Sequence, residues 1–258
     1  MAAFDDNELV KFEWQSSGRF VVANGSHRVC CRASTRDLQV DIDGIGRLIL
    51  RDHGRAIVCK AATAPVHHDP IDVLLESAIV GPGILLSLAY AGIFALHGSA
   101  VGTPDGCSVA LIGESGAGKS TLAEASDDDW PRVADDVVPV AFHGGTAVLL
   151  PHYPQLKMSN DAQYPRGAPE RVELCRIYLL APGEPDEAAD VVMKPVARRD
   201  ATLALVRHTV ASRIFPPPLL AAHLAFCIRL AAAVPVHELR YRRERQTIPS
   251  ILESIRHG

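Results

Sequence analysis

The sequence lacks several features that would each assign the protein to a familiar class. Lysine and arginine number 26 against 30 aspartates and glutamates, so the formal net charge is −4. Such a chain has no broad basic surface, which disfavours nucleic acid as a partner. No internal repeat is visible in the 258 residues. Hydrophobic residues make up 48% of the chain and charged residues 22%, a balance typical of a folded globular protein rather than a disordered one.

Long hydrophobic runs and cysteines in CxxC spacing are also missing. The N-terminal stretch MAAFDDNELVKFEW is acidic and has no apolar core like that of a signal peptide. Residues 84–96 are the most apolar segment, but this segment is short and interrupted by glycine, which indicates a buried element. None of the six cysteines stands in CxxC spacing, so no zinc site or disulfide framework is indicated. We therefore expect a cytoplasmic protein with reduced thiols and no membrane partner.

The distribution of short apolar runs predicts two parts, a β-rich N-terminal subdomain over residues 1–66 and a larger α/β domain over residues 67–258. Turn residues separate the runs in the first part, as they do between short strands. We expect strands there at residues 20–22, 29–31, 38–42 and 48–50. In the second part we expect strands at residues 99–101, 109–112, 133–134, 137–141 and 172–180. Helices are predicted at residues 71–79, 120–125, 201–207, 218–232 and 248–255.

One stretch of the larger domain carries a complete phosphate-loop motif. The residues are Gly113, Glu114, Ser115, Gly116, Ala117, Gly118, Lys119 and Ser120, and they satisfy GxxxxGK[ST] between an apolar strand and helix-forming residues. The alternative, a glycine-rich turn with no ligand, is disfavoured because a chance match in the correct strand and helix context is rare. We predict that these eight residues and Thr121 bind a nucleotide.

Each residue type in the motif has a physical role in holding phosphate. Glycines permit positive φ angles and close approach, so that backbone N–H groups surround the phosphate oxygens. Lys119 supplies a point charge to the β- and γ-phosphates, and the Ser120 hydroxyl is a ligand for Mg²⁺. The motif therefore predicts ATP and Mg²⁺ as cofactors, although it does not distinguish ATP from GTP.

Phosphoryl transfer also needs carboxylates, and two follow the loop closely. Asp135 and Asp136 come directly after Val133-Ala134, and Asp135 lies only 16 positions beyond Lys119. The stretch between the loop and the aspartates is short for a standard crossover helix, so an unusual topology around the loop is expected. Surface or capping aspartates are the alternative. No NKxD or LSGGQ run follows the loop, which disfavours a GTPase or a transporter ATPase.

Three stretches in this order and spacing resemble the HPr serine kinase/phosphorylase superfamily, whose core is similar to phosphoenolpyruvate carboxykinase. They are residues 96–101 (LHGSAV), the loop, and residues 133–136 (VADD). The resemblance covers roughly residues 70–256 and continues more weakly in residues 151–158 and 234–241. The last stretch is similar to smaller HPr-kinase-like proteins of peptide biosynthesis clusters. An HPr-kinase-like P-loop core with a small β-rich N-terminal subdomain is implied.

The resemblance also implies residue roles. Asp135 would take the proton from a substrate serine hydroxyl, with His97 beside the aspartates to tune or orient them. Asp136 and Ser120 would hold Mg²⁺, while Lys119 would stabilise charge on the transferred group. The division of roles between the two aspartates stays open.

The sequence departs from HPr kinases at their later E-[VI]-R-G-x-G signature, because residues 166–171 read RGAPER. HPr and a phosphorylase reaction are therefore disfavoured, and the expected acceptor is a serine of a peptide or protein. The sharpest form of this hypothesis is the C-terminal serine of a lasso-type precursor peptide. A small-molecule hydroxyl kinase, an HPr kinase and a non-catalytic nucleotide-binding module remain alternatives, and a carboxykinase fits poorly. Since HPr kinases are hexameric, homo-oligomer formation is left open.

Several basic residues have no clear role from position alone. The cluster at residues 240–245 (RYRRER) is interpreted as a solvated face, with attraction of an acidic peptide or a phosphate as the alternative. Arg207, His208 and Arg213 are interpreted as surface or interface residues, although arginine is well suited to phosphate. Lys157 is a secondary candidate near the expected acceptor groove.

Overall fold

The computed structural model describes residues 14–22, 25–62, 71–126, 130–153, 169–183 and 191–257. The chain forms two compact units, Met1–Ala91 with Ala211–Ala221, and Gly92–Val210 with Ala222–Gly258. The division after Ala91 lies beyond the expected boundary at residue 66, because a helical stretch ending at Tyr90 packs with the first sheet. Both units combine helices with a β-sheet, so the fold is mixed α/β.

The first unit contains a five-stranded antiparallel sheet in chain order: β1 (Trp14–Val22), β2 (Gly25–Ala33), β3 (Leu38–Ile42), β4 (Gly46–Arg51) and β5 (Ala56–Ala61). Alternate side chains such as Val29, Val40 and Leu48 are buried, as expected of strands with one covered face. The four predicted strands are confirmed. The pattern does not predict β5, because this edge strand is half-buried or exposed along its length.

The helical stretch of this unit consists of α1 (Ile71–Ala78), a π-helical turn (Ile79–Gly83) and α2 (Ile84–Tyr90). Gly83 lies against the sheet, since a Cβ on it would be 3.5 Å from the side chains of Leu48 and Ile57. Within the described residues, Val73–Tyr90 is long and apolar enough to cross a membrane by length and composition. Buried core helices pass the same test, so this observation is weak support for a span.

The second unit contains a seven-stranded mixed sheet in the order β11-β12-β10-β7-β6-β8-β9. Its strands are β6 (Phe94–Gly102), β7 (Ser108–Gly113), β8 (Arg132–His143), β9 (Thr146–Leu149), β10 (Val172–Pro182), β11 (Val191–Pro195) and β12 (Val236–Tyr241). Strands β7, β10 and β12 are parallel neighbours, and β6 runs antiparallel to both β7 and β8. The start of β10 also pairs with β9. The carboxyl ends of β7, β10 and β12 therefore meet at one edge.

The remaining helices are α3 (Lys119–Glu124), α4 (Arg198–Arg207), α5 (Pro217–Ala233) and α6 (Ile248–His257). A core cluster beneath the loop at residues 113–120 includes Leu111, Leu122, Leu239 and Ile251. The buried Tyr178 joins it, and its hydroxyl donates a hydrogen bond to the Ile255 carbonyl at 3.1 Å. The sheet edge that carries the loop is thus supported from below by apolar side chains.

Strand β8 differs from the prediction of two short strands. It is one strand from Arg132 to His143, and both Asp135 and Asp136 lie within it. Asp136 has a φ of 78°, in the left-handed region, so the strand is irregular at the point where the prediction divides it. The structure also explains why so few residues separate the loop from the aspartates. Helix α3 has only six residues, and the chain continues into β8, which is separated from β7 by β6.

The prediction that all cysteines are reduced thiols is corrected by the structure. Cys107 and Cys175 form a disulfide between the start of β7 and β10, with their Cα atoms 6.1 Å apart. The other four cysteines are free. Spacing in sequence does not reveal this pair, because 68 positions separate its members and only the pairing of β7 with β10 brings them together.

Candidate active site

The loop at residues 113–120 connects the end of β7 to the first residue of α3. Gly113 and Gly118 have φ angles of 154° and 90°, which side chains rarely adopt. A Cβ on Gly113 would lie 2.8 Å from the Leu180 carbonyl oxygen of the neighbouring strand. Glycine is required at position 113 because β10 approaches closely, and at position 118 because the chain turns into the helix there.

Lys119 is buried, and its ammonium group lies inside the curve of the loop. Its Nζ donates hydrogen bonds to the carbonyl oxygens of Gly113 at 2.8 Å and Glu114 at 2.9 Å. Glu114, Ser115 and Gly116 are exposed at the tip of the loop. The loop therefore presents an accessible backbone with a fixed positive charge beneath it.

Asp135 is buried beside the loop and accepts two hydroxyl hydrogen bonds on one oxygen. Ser120 Oγ and Ser99 Oγ each donate to Asp135 Oδ1 at 2.7 Å. The β6–β8 register places Ser99 directly opposite Asp135. Arg132 Nη1 lies 3.9 Å from the other carboxylate oxygen. These partners offset the cost of burying a charged group.

Asp136 has a more open setting and lies beside His97. The Nδ1 atom of His97 is 3.2 Å from the Asp136 carbonyl oxygen and 3.5 Å from its Oδ1. The side chains of His97 and Asp136 are 41% and 31% exposed, whereas that of Asp135 is 5% exposed. One aspartate is thus enclosed with the loop serine, and the other reaches solvent with the histidine.

Gly98 stands between His97 and Ser99 and allows both contacts. A Cβ on Gly98 would lie 2.5 Å from the Leu111 carbonyl oxygen on β7, which is too close for any side chain. Glycine at this position lets β6 approach β7. The close approach aligns His97 and Ser99 with the aspartates of β8.

The end of α4 and the residue that follows it lie close to the loop, although the sequence indicates only surface or interface residues there. Arg207 Nη2 pairs with Glu114 Oε1 at 2.8 Å, and the His208 carbonyl accepts the His97 N–H at 2.6 Å. Burial lowers the pKa of His208, while Glu114 raises it and Lys119 lowers it. His208 therefore lies within the electrostatic reach of the loop. The sequence signal is slight, since Arg207 only ends a predicted helix and His208 follows it.

Tyr153 lies near the open aspartate. Burial, with a contribution from the charge of Asp136, raises the pKa of Tyr153 to about 12, so the phenol stays protonated at neutral pH. This tyrosine belongs to the stretch at residues 151–158 in which the family resemblance is weak. Lys157, the secondary candidate, lies outside the described residues.

The structure brings Lys119, Ser120 and Asp135 together and sets His97 and Asp136 beside them. The observed pairing differs from the expected one, because Ser120 contacts Asp135 rather than Asp136. Thr121 is exposed on the first turn of α3.

The donor set fits a magnesium nucleotide better than a metal held by protein alone. No group of three or more His, Cys, Asp or Glu residues that could hold a metal occurs in the described part of the chain. Mg²⁺ in phosphoryl-transfer sites needs only one or two protein oxygens besides phosphates and water. The Ser120 hydroxyl and the Asp135 carboxylate, already in contact, are hard oxygen ligands of this kind.

Comparison with known proteins adds a distant structural likeness. No family model and no curated protein sequence matches the chain. Among solved structures, the chain is similar to the Hpr(Ser) kinase/phosphatase from Coxiella burnetii, with 12% identity and a TM-score of 0.35. The match covers 63% of this chain and 95% of that chain. Because this likeness is so distant, we infer the function from the geometry of the site.

Proposed function

We propose that the protein is an ATP-dependent kinase that transfers the γ-phosphoryl group to a serine hydroxyl of a peptide or protein. The observation that carries this proposal is the contact of Ser120, in a complete phosphate-loop motif, with the buried carboxylate of Asp135. A second pair, His97 and Asp136, lies alongside and reaches solvent. This combination supports a nucleotide site with an acid–base pair beside it.

The loop and Lys119 would hold the triphosphate. Backbone N–H groups and a lysine around phosphate oxygens position the γ-phosphorus and stabilise charge on it. Lys119 Nζ donates hydrogen bonds to the Gly113 and Glu114 carbonyls, which orient the ammonium group within the loop. Most of the catalytic effect would come from this positioning and electrostatic stabilisation.

Ser120 and Asp135 would hold Mg²⁺. In phosphate-loop enzymes the loop hydroxyl and a nearby carboxylate share this task, and the ion, when bound, neutralises phosphate charge. Asp135 is enclosed and hydrogen-bonded to Ser120, which supports a metal role more than a role with an acceptor that must enter from solvent. This assignment reverses the division that the family resemblance implies.

Asp136 would take the proton from the acceptor hydroxyl. It is the more exposed of the two aspartates, so an acceptor has access to it. His97 Nδ1 contacts both its carbonyl and its carboxylate, which orients the side chain. A carboxylate within reach of the attacking hydroxyl is the arrangement that kinases use to guide a substrate oxygen.

The acceptor class rests on the resemblance of residues 234–241 to kinases of peptide biosynthesis clusters. A C-terminal serine of a lasso-type precursor peptide is the sharpest form of this proposal. We also propose a cytoplasmic enzyme that acts without nucleic acid or membrane partners and that is able to form homo-oligomers. A small-molecule kinase, an HPr kinase and a nucleotide-binding module are outcomes of the test below.

The test is mass spectrometry after incubation with MgATP and a panel of acceptors. The panel holds peptides with a C-terminal serine, peptides with an internal serine, free serine and HPr. Gain of one phosphoryl group on the C-terminal-serine peptides alone would support the proposal. Transfer only to free serine, or only to HPr, would reassign the acceptor, and nucleotide binding with no transfer to any of them would favour the regulatory module.

Two aspartate variants separate the roles in the same assay. We expect Asp136→Asn to lose about 100-fold or more in transfer while MgATP binding stays within a few fold. Asp135→Asn should weaken binding of MgATP relative to ATP without magnesium. Asp105→Asn is the matched control, because Asp105 is exposed in the turn before β7, at the other end of that strand. Transfer by Asp136→Asn at the wild-type rate would contradict the assignment.

A further inference from the structure

The end of strand β12 lies against the candidate phosphate loop. In the register of the parallel strands, Leu180 of β10 pairs with Gly113, and Pro182 pairs with Tyr241. The Gly183 N–H also donates to the Tyr241 carbonyl at 2.9 Å. Residues just beyond β12 therefore emerge at the same edge of the sheet as the loop.

Tyr241 fixes this strand end to the loop itself. Its side chain is buried, and its hydroxyl donates a hydrogen bond to the Ala117 carbonyl. The same hydroxyl lies 3.8 Å from the position that a Cβ on Gly118 would occupy. The loop and the chain after Tyr241 are thus held as one local unit.

The turn that follows is held by a second buried side chain. Thr247 is buried, and its Oγ1 lies 3.0 Å from the carbonyl oxygens of both Arg242 and Glu244. The Glu244 N–H donates to the Arg242 carbonyl at 2.9 Å. The turn that carries Arg243 is therefore held by hydrogen bonds to the residues on both sides of it.

Arg243 reaches from this turn to the tip of the loop. Its Nη2 lies 3.2 Å and its Cζ 3.9 Å from the position that a Cβ on Gly116 would occupy. Gly116 has a φ of 80°, and the missing side chain leaves room for the guanidinium. Both residues are exposed, so a ligand in the loop has access to the guanidinium.

The charges around the loop single out Arg243. Lys119 is already bound to two loop carbonyls, and Arg207 is paired with Glu114. Arg243 forms no ion pair with any residue that the structure describes. Guanidinium presents parallel N–H donors that match two phosphate oxygens at once.

We propose that Arg243 binds the phosphate groups of the nucleotide held by the loop, as a second cation beside Lys119. This inference rests on the proposed function, because it requires a nucleotide at residues 113–120. For residues 240–245 it favours attraction of a phosphate, the alternative left open by the sequence, over a merely solvated face. Within that cluster, the neighbouring Arg242 is also exposed and makes no described contact with the loop.

Calorimetric titration of the full chain with ATP, ADP and AMP in the presence of Mg²⁺ tests the proposal. We expect Arg243→Ala to weaken ATP binding about 10- to 100-fold, the effect of losing charge-assisted hydrogen bonds. Arg243→Lys should recover part of the loss, because lysine keeps the charge but not the paired donors. AMP binding should change little, since AMP lacks the phosphates that the loop and Arg243 share.

Arg242→Ala is the matched control, with the same change of charge one residue away, and we expect ATP binding within twofold of wild type. An unchanged thermal midpoint for each variant shows that the fold is intact. Equal losses in both alanine variants would mean general electrostatic attraction and would overturn the proposal, as would wild-type affinity in Arg243→Ala.

If wild type binds no nucleotide, the proposed function and this inference fail together. If only Lys119→Ala loses binding, the inference alone fails.

Discussion

Asp135 and Asp136 are neighbours in sequence but differ in solvent access and in partners. Asp135 is enclosed by two serine hydroxyls, and Asp136 is open and faces His97. The left-handed φ of Asp136 interrupts the regular strand between two residues that a sequence pattern treats as equivalent. Assignment of different roles to the two carboxylates therefore depends on the backbone, and not on residue type.

The Ser99 hydroxyl supports the enclosed carboxylate and gives a stability prediction. Ser99→Ala removes a hydroxyl donor to Asp135 Oδ1 and leaves the buried carboxylate less well solvated. We expect the free energy of unfolding to fall by about 1–3 kcal/mol, measured by urea denaturation. The control Ser254→Ala, at an exposed helical hydroxyl, should change it by less than about 0.5 kcal/mol. Equal effects would contradict a special role for Ser99.

At the scale of elements, the site depends on how closely β6 approaches β7. Gly98 faces the Leu111 carbonyl at a distance that excludes a side chain, and the same strand carries His97 and Ser99. A shift of β6 would therefore disturb both contacts to the aspartates of β8. Packing of the strands and geometry of the site are linked through one residue.

Gly98→Ala should destabilise the protein and lower transfer at the same time. We expect a loss of about 1–3 kcal/mol in the free energy of unfolding, as for other overpacked positions. Thermal and urea denaturation measure the first effect, and the phosphoryl-transfer assay measures the second. Gly183→Ala is the matched control, because a Cβ there meets no atom within 4 Å. If Gly98→Ala left the free energy of unfolding and the transfer rate unchanged, the close approach of the two strands would not be required.

At the scale of the whole molecule, the Cys107–Cys175 disulfide joins two strands of the second sheet. Closing a loop of 68 positions restricts the unfolded chain and should contribute about 2–4 kcal/mol. Protein purified without reductant should show four free thiols after denaturation, and dithiothreitol should lower its melting temperature. Cys107→Ser with Cys175→Ser should remove the response to dithiothreitol. In a reducing buffer the two thiols should stay reduced, and the bond should form again when the reductant is removed.

Stability should also fall in mild acid. Burial lowers the pKa of His208 and of His223 from the ordinary value near 6.5. Below that value the unfolded chain binds protons that the folded chain does not, so unfolding becomes easier as the pH falls. Each histidine contributes at most about 1.4 kcal/mol per pH unit between its two pKa values. The thermal midpoint should drop from pH 8 to pH 5.5.

His223→Gln tests the origin of that pH dependence. Glutamine keeps a hydrogen-bond donor for Thr209 Oγ1, which lies 2.8 Å from His223 Nε2, but it does not titrate. We expect a smaller drop in the thermal midpoint between pH 8 and pH 5.5 than in wild type. His143→Gln, at an exposed histidine on β8, is the control. An identical pH profile for His223→Gln would exclude the buried histidine as a source.

The amino-acid sequence by itself determined the features that are encoded by adjacent residues. The phosphate-loop motif, the strand that ends at Gly113 and the helix that follows are local, because turn and helix preferences act over a few positions. Four strands of the first sheet and most of the helices were predicted for the same reason. Edge strands such as β5 and β11 were not, since exposed strands lack a clear apolar alternation.

Only the tertiary structure decided which distant residues meet. Ser120 contacts Asp135 because β8 lies beside β6 and α3, and Arg243 reaches Gly116 because β12 lies beside β10. The Cys107–Cys175 bond depends on the pairing of β7 with β10 in the same way. Strand order is set by long-range hydrogen bonds and by packing of the whole core, which no local preference encodes. The phosphate-loop motif can therefore be predicted from the sequence, whereas the distant residues that contact it are known only from the fold.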